Sequence, residues 1–431
     1  MTTPDLREAL IAGGGPAGSV LAITLAKAGR DVVLVEKSSG PHHKICGEFL
    51  SPETVPLFAA VGIDLKALGA KPIRRVRFAT RGVIAEVPLP HPALSLTRKT
   101  LDEALLDRAQ AAGVDVRRGT SLEHLTHQSH PSYQSHQSHA GGLAHWHGTL
   151  ITNGQACDPI LAREAFLATG KHDLRGWTRT KARTQSNLIA MKMYFALAPD
   201  QQDELADHVE LVTYPGGYTG LQPVEGGWAN LCALITRDRF QTLGNRWENL
   251  LDHMEQHSPH LAKRLCDAKP QLDRPLALSA IPYGYRAPSL DEGPWRLGDQ
   301  AAVIPSFCGE GMAIALYTAQ RAAEFYIAGA NASAFQAEMR RELGRSVCFA
   351  ALLSRALVAA PSIAHALRIA PSMLRMIFAA TRLPGTLPQP TMSAGKFPVD
   401  VEGGETAQAV FSQRKRPSLP PIDTTASGNL L

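Results

Sequence analysis

Gly13, Gly15 and Gly18 stand in the spacing G-x-G-x-x-G between two apolar runs, Ala9 to Ala12 and Ala17 to Ala28. Glycine at these places permits a tight turn, lets a pyrophosphate approach the backbone, and lets a helix pack closely on a strand. The free N–H groups and positive end of a helix begun there attract phosphate. A further apolar run, Asp31-Val-Val-Leu-Val-Glu36, ends in an acid. The acid falls at about the 20-residue distance where a carboxylate takes a ribose hydroxyl. A lone glycine motif is weak evidence. Strand, turn, helix, strand and acid arriving in order make a dinucleotide site, and they leave open whether the dinucleotide is FAD or NAD.

A second constellation lies far downstream. Trp295-Arg-Leu-Gly298-Asp299 ends in an acid, and Phe307-Cys308-Gly309-Glu310-Gly311 opens an apolar helix that runs from Met312 to Ile327. The N-terminus of such a helix favours negative charge, such as that on the N1–C2=O edge of a reduced flavin. Two other candidates for chemistry read as bland. The cysteines at 46, 157, 232, 266, 308 and 348 contain no C-x-x-C pair, which disfavours zinc and thioredoxin-like sites and fits reduced thiols in a cytoplasmic protein. The histidines of residues 124–147 sit in Gln-Ser-His repeats without a carboxylate or cysteine ligand set, so this stretch reads as a lengthened polar loop and no metal is assigned.

The elements that must position these residues follow from pattern and composition. With 431 residues, 44% of them apolar, the chain can form two or three compact modules. Its formal net charge of +5, with no basic run interleaved with aromatics, excludes a nucleic-acid footprint. Residues 1–8 lack a signal-peptide pattern, and no uncharged apolar run is long enough to span a membrane. Val76 to Val87 alternates as a hairpin outside the first module; a helix starting at Leu96–Arg98 and a strand after Gly113 then resume the strand–helix–strand rhythm. Glu164 to Gly170 reads as another buried strand. Leu188 to Leu197 and His208 to Ile235 read as an antiparallel sheet with a turn at Pro215–Tyr218, followed by a helical stretch from Trp247 to Asp267. From Ser346 to Thr381 there is no acid, and Pro361 and Pro371 break the stretch into short helices. It reads as a helical cap on the core, with a lid or a peripheral membrane surface at 346–381 as the other readings. Residues 385–431 have the composition of a disordered tail.

The glycine turn, Lys44-Ile-Cys-Gly-Glu-Phe-Leu-Ser51, the helix start at Arg98 and the Gly298–Asp299 segment, in this order over about residues 8–330, resemble the geranylgeranyl-reductase-like FAD-dependent oxidoreductases. These are distant relatives of p-hydroxybenzoate-hydroxylase-like monooxygenases. The resemblance implies FAD, held by Gly13, Gly15, Ala17, Gly18 and Glu36, by Lys44, Cys46 and Gly47, by Arg98 and Asp299, and by the backbone of Gly309, Glu310, Gly311 and Met312. Cys46 and Tyr218 are its candidates for lining the reacting face. From the residues alone, Cys46 reads equally as a small packing residue, and Arg98 as the i,i+4 partner of Asp102.

Three departures bear on the substrate. The family's P-x-x-Y-x-W-x-F-P segment reads here Pro215-Gly-Gly-Tyr218-Thr-Gly220-Leu-Gln222-Pro223, which removes two aromatic walls and adds a hydrogen-bonding group. Ala168 to Arg175 stands where the monooxygenases carry an Asp-Gly motif, and the W-x-W-x-I-P segment of flavin-dependent halogenases is absent. The resemblance implies an α/β, two-domain flavoprotein with a Rossmann-like FAD-binding domain (1–70, 95–182 and 276–330). It also implies an inserted antiparallel-sheet substrate domain (71–94 and 183–275) and a helical C-terminal cap (331–384). The implied reaction is hydride transfer to or from a lipophilic, isoprenoid- or polyketide-type substrate, with NAD(P)H or a ferredoxin as electron donor. The alternative is an NAD(P)H-dependent monooxygenase.

Overall fold

The computed structural model describes residues 6–80, 83–128, 145–359 and 380–383. Two sheets organise them. The first has the order Asp115–Arg118, Val32–Glu36, Leu6–Ala12, Ile160–Leu167, His145–Thr152, Thr120–Gln128. Its first four strands are parallel, and Trp295–Arg296 also joins Ile160–Leu167 in parallel. Such strands are buried on both faces and read as unbroken apolar runs. In Leu6–Ala12 the pleat sends Ala9 and Ile11 into the core under the helices, and Leu10 and Ala12 into the opposite core around Trp146 and Leu150.

Helix Pro16–Lys27 and helix Gly311–Ile327 pack on the same side of this sheet. The first begins with proline at its first position, where the missing N–H costs nothing. Helix Arg98–Ala111 is capped by Thr97, whose hydroxyl accepts from Thr100 N, and it buries Leu101, Asp102, Leu105, Leu106 and Ala109 at helical spacing. Asp102 is the exception in that stripe, and it belongs to the site.

The second sheet has the order Lys269–Pro270, Leu188–Ala196, Ala229–Thr236, Gly217–Pro223, Asp207–Tyr214, Lys71–Thr80, Val83–Ser95, Phe49–Leu50. It is antiparallel except between Asp207–Tyr214 and Lys71–Thr80, where two segments far apart in sequence meet in parallel. Phe49–Leu50 and Leu276–Ser279 pair into this sheet as well, although the sequence division places both with the nucleotide half.

Two sequence expectations change. The stretch 124–147 is not all loop: Thr120–Gln128 and His145–Thr152 form an antiparallel pair, from Thr120↔Thr152 to Gln128↔His145. Alternation that buries Leu125, Trp146 and Leu150 outweighs the polar composition; the remaining repeats lie outside the described residues. The acid-free stretch begins inside one 28-residue helix, Ala332–Ala359, which packs Phe335, Met339, Leu343, Val347 and Ala350 on the core. Residues 360–379, which hold Pro361 and Pro371, and the tail from 384 lie outside the described residues. Among the described residues no helix is long and apolar enough to cross a membrane.

Candidate active site

A cleft with about 1010 Å³ of free space, part of it open to solvent, runs from the glycine turn to the inner face of the second sheet. At its start, the glycine requirement is covalent geometry. Gly13 has φ +108°, and a Cβ there would lie 2.4 Å from the carbonyl oxygen of Ala168. A Cβ on Gly18 would lie 1.9 Å from the carbonyl oxygen of Gly13. Gly15 differs: its Cβ would meet only the Arg98 guanidinium, and it faces the cleft with Ala17. Glu36 braces the turn, accepting from Gly14 N at 2.7 Å and Ser38 N at 3.0 Å. It also edges a smaller recess with Lys44, Lys99 and Arg118, so the expected ribose acceptor already holds two backbone N–H groups.

Arg98 makes the i,i+4 pair with Asp102 and also lies on the cleft wall. Its guanidinium donates in a fork to Asp102 at 2.7 and 2.8 Å, and it lines the cleft beside Gly15. Lys44 reaches the same carboxylate at 2.8 Å. Burial works to raise the Asp102 carboxyl, but Arg98 and Lys44 together hold it below the usual range. Cys46 and Gly47 line the cleft, and Asn230 Nδ2 donates to both of their carbonyls, at 3.2 and 2.9 Å. A Cβ on Gly47 would meet nothing within 4 Å.

The downstream constellation closes the cleft from the other side. Gly298, with φ +54°, and Asp299 line it, and Asp299 pairs with Lys171 at 3.0 Å. Burial pushes the Asp299 carboxyl up, and Lys171 pulls it further down, so it stays ionised. Gly309, Gly311 and Met312 face the cleft at the start of helix Gly311–Ile327. The Glu310 side chain turns away from it. It is 2% exposed, its Oε2 has no hydrogen-bond partner among the described residues, and burial raises its carboxyl to about 8 against the pull of Arg382.

The far wall is the second sheet. Register puts three rows on one face: Ala190, Leu234 and Tyr218; Lys192, Cys232 and Gly220; Tyr194, Asn230 and Gln222. The strands that reach the cleft supply Ala190, Cys232 and Leu234, joined by Ile45, Ile281 and Tyr283. Tyr218 stands one layer behind, 2% exposed, with its hydroxyl 3.2 Å from Ser306 Oγ, and Ser306 itself faces the cleft. Tyr218 therefore backs the wall where a lining residue was expected, because its strand lies one position farther along the sheet. Gln222 is occupied by Ser95 at 2.6 Å, and a Cβ on Gly220 would meet nothing within 4 Å, so the missing aromatic leaves open space.

Sequence reasoning passed over Glu48, Lys171, Lys192 and Tyr194. Glu48 and Lys192 are both fully buried and 2.6 Å apart. A signal existed for one of them. Lys192 interrupts the otherwise apolar strand Leu188–Ala196, and a lysine there must find a partner.

Residues 7–142 match the FAD-binding domain family. Menaquinone reductase of Mycolicibacterium smegmatis is 25% identical over 335 residues, 75% of this chain and 76% of that protein. Digeranylgeranylglycerophospholipid reductase of Methanosarcina mazei is 25% identical over 233 residues, 53% of this chain and 54% of that protein. In fold, the chain superposes on the flavin-dependent brominase Bmp2 with a TM-score of 0.70 at 18% identity, covering 88% of this chain and 93% of the brominase. The cofactor is FAD. The open faces of Gly15, Gly47 and Gly311 fit it, since a side chain at each would project into the space a cofactor needs.

Proposed function

We propose that this FAD-dependent flavoprotein is a reductase that saturates a carbon–carbon double bond in a bulky, isoprenoid-type lipid such as a prenylated quinone. The observation that carries the reading is the far wall of the cleft: apolar Ile45, Ala190, Leu234 and Ile281 face the same space as the glycine cradle. The relatives that match over most or half of this chain are named for reductions of menaquinone and of a geranylgeranyl lipid, which supports the same substrate class. FAD, when bound, supplies the hydride. Within this reading the chain's residues bind and orient. Gly15 and the start of helix Pro16–Lys27 would hold the pyrophosphate, with Arg98 adding charge, and the N–H groups at Gly309–Met312 would favour negative charge on the flavin. Cys46 and Gly47 would line the cofactor's side of the cleft, and Tyr283 and Leu234 would exclude water from the lipid.

Asp299, an ionised acceptor on the cleft wall, would hold the ribityl chain. Replacing it by alanine is expected to weaken FAD binding about 10- to 100-fold, the equivalent of one hydrogen bond to a charged group, about 1.5–3 kcal/mol. Titration of flavin fluorescence measures this, and an unchanged affinity would remove Asp299 from the cradle.

The reaction is tested by reducing the FAD-loaded protein without oxygen, using NADH, NADPH or a reduced ferredoxin in parallel, and adding prenylated quinones. A product that still carries two extra hydrogens in its prenyl chain after its head group is reoxidised in air, with reoxidation of the flavin, is the expected result. Oxygen-dependent incorporation of a hydroxyl group at the expense of NAD(P)H would replace this reading with the monooxygenase.

A further inference from the structure

The cofactor cradle leaves one buried ionic pair of the cleft wall without a role. Lys192 and Glu48 are each 0% exposed, and Glu48 faces the cleft. Three donors converge on one oxygen: Oε1 accepts from Lys192 Nζ at 2.6 Å, from Tyr194 OH at 2.8 Å and from Arg98 N at 2.8 Å. The other oxygen, Oε2, is equally buried and has no partner among the described residues. A buried carboxylate oxygen left alone is rare, whereas one carrying a proton or meeting a ligand is stable. The backbone bends to put it there, since Glu48 has φ +63°, a region that non-glycine residues seldom enter.

The pair also has an exit. Tyr194 spends its hydroxyl proton on Glu48, so its contact with His43 Nδ1, at 3.2 Å, requires the imidazole to donate. His43 is only half-buried. Burial and then Lys192 push its pKa down to about 4, which keeps it a neutral shuttle at pH 7. Burial raises the Glu48 carboxyl further than Lys192, Arg98 N and Tyr194 draw it back. The other ionisable groups around this chain of contacts are Cys46 and His42 on the same loop, Cys232 on the neighbouring strand, Lys99 on helix Arg98–Ala111 and Glu225 beyond Pro223.

We propose that Glu48 is the proton donor of the reduction, held by Lys192 and reloaded from solvent through His43 and Tyr194. The proposal rests on the reductase reading. One alkene carbon takes a hydride, hence both electrons, from the reduced cofactor, and the other takes the Glu48 proton as the π bond breaks. The carboxylate left behind is balanced by the Lys192 ammonium and regains a proton on Oε1 from Tyr194, which takes one from His43 Nδ1 as the ring takes one from water at Nε2; a half-turn of the carboxyl then returns the proton to the side of the free oxygen. In sum, one double bond, one hydride and one solvent proton give one saturated bond, and the nicotinamide or ferredoxin donor restores the reduced cofactor.

The test compares the FAD-loaded wild type with Glu48→Gln, Tyr194→Phe and, as a control, Glu310→Gln. Infrared difference spectra near neutral pH, wild type minus Glu48→Gln, should show a protonated-carboxyl component, shifted in D₂O, separate from the Glu310 component that wild type minus Glu310→Gln isolates. With flavin content unchanged, Glu48→Gln should slow single-turnover reduction of a prenylated quinone by about 10²–10⁴-fold. Tyr194→Phe should spare the first turnover and slow the following ones. A Glu48→Gln protein with the full wild-type band, or with the wild-type single-turnover rate, overturns the proposal. If the wild type reduces no prenylated acceptor, the reductase reading falls. The infrared comparison still decides this one: a carboxyl component present in the wild type and lost in Glu48→Gln supports a proton held on Glu48, and an unchanged band refutes it.

Discussion

Gly18→Ala is expected to yield a destabilised protein that purifies without flavin. The added methyl carbon would sit 1.9 Å from the carbonyl oxygen of Gly13, a backbone atom that is itself confined. Gly13 cannot retreat freely, because its N–H donates to the Val35 carbonyl at 2.8 Å and the Ala168 carbonyl occupies the place a Cβ on it would take. Helix Pro16–Lys27 must therefore move off the sheet, opening a contact among Ile11, Leu21 and Leu34 in the core. Overpacking of this kind costs about 3 kcal/mol. The same movement withdraws the helix N-terminus from the phosphates. Gly15→Ala makes the contrast, because its Cβ meets only the guanidinium of Arg98, at 3.1 Å, and a flexible side chain yields. That variant should fold with a near-normal Tm and lose affinity for FAD alone. Flavin absorbance per mole of purified protein, read with the Tm, separates the two. Stoichiometric flavin in Gly18→Ala would show that the turn has slack that the geometry denies.

Glu310→Gln should stabilise the protein at neutral pH and leave it unchanged in acid. The unfolded carboxyl ionises near its ordinary value of 4.5, while burial holds the folded one protonated up to about 8, with Arg382 too weak to reverse this. Below pH 4.5 both states carry the proton and the full stability is present. Between the two values the unfolded chain releases its proton and the fold does not, so stability falls by about 1.4 kcal/mol per pH unit. The total loss is about 5 kcal/mol once the pH passes the folded pKa. Glutamine has no proton to lose. The variant should therefore exceed the wild type by about 3 kcal/mol at pH 7 and match it near pH 4.5. Urea denaturation at both pH values, with FAD saturating throughout, measures the difference. A gap that does not change with pH would mean that the carboxyl ionises normally in the fold.

The cofactor cradle is legible in the sequence because its parts are local. A glycine turn, the strand and helix on either side of it, and the Gly298–Asp299 segment each depend on residues within one turn or one strand of each other, where spacing determines geometry. Gly13 and Gly18 read as geometric necessities, and the backbone contacts are the reason. Spacing alone leaves Arg98 between a ligand role and a helix pair with Asp102. The fold pairs it with Asp102 and also puts its guanidinium beside Gly15 on the cleft wall, which no local spacing shows.

The far wall is less legible. Tyr218 sits in a familiar frame, but which strand of a sheet reaches the cleft depends on strand order, and strand order is long-range. Residues 71–95 and 188–236 must join in one sheet before Cys232 and Leu234 come to line the cleft and Tyr218 to stand behind them. The same holds for Glu48 and Lys192, 144 residues apart in the chain and 2.6 Å apart in the fold. By itself, then, the amino-acid order determined the dinucleotide turn, the two kinds of module and the class of cofactor, since these rest on short-range sterics and periodicity. Only the tertiary structure decided what lines the cleft and which charged groups are buried together in its wall. Burial and the pairing of distant charges are properties of the assembled core, and no local stretch of sequence carries them.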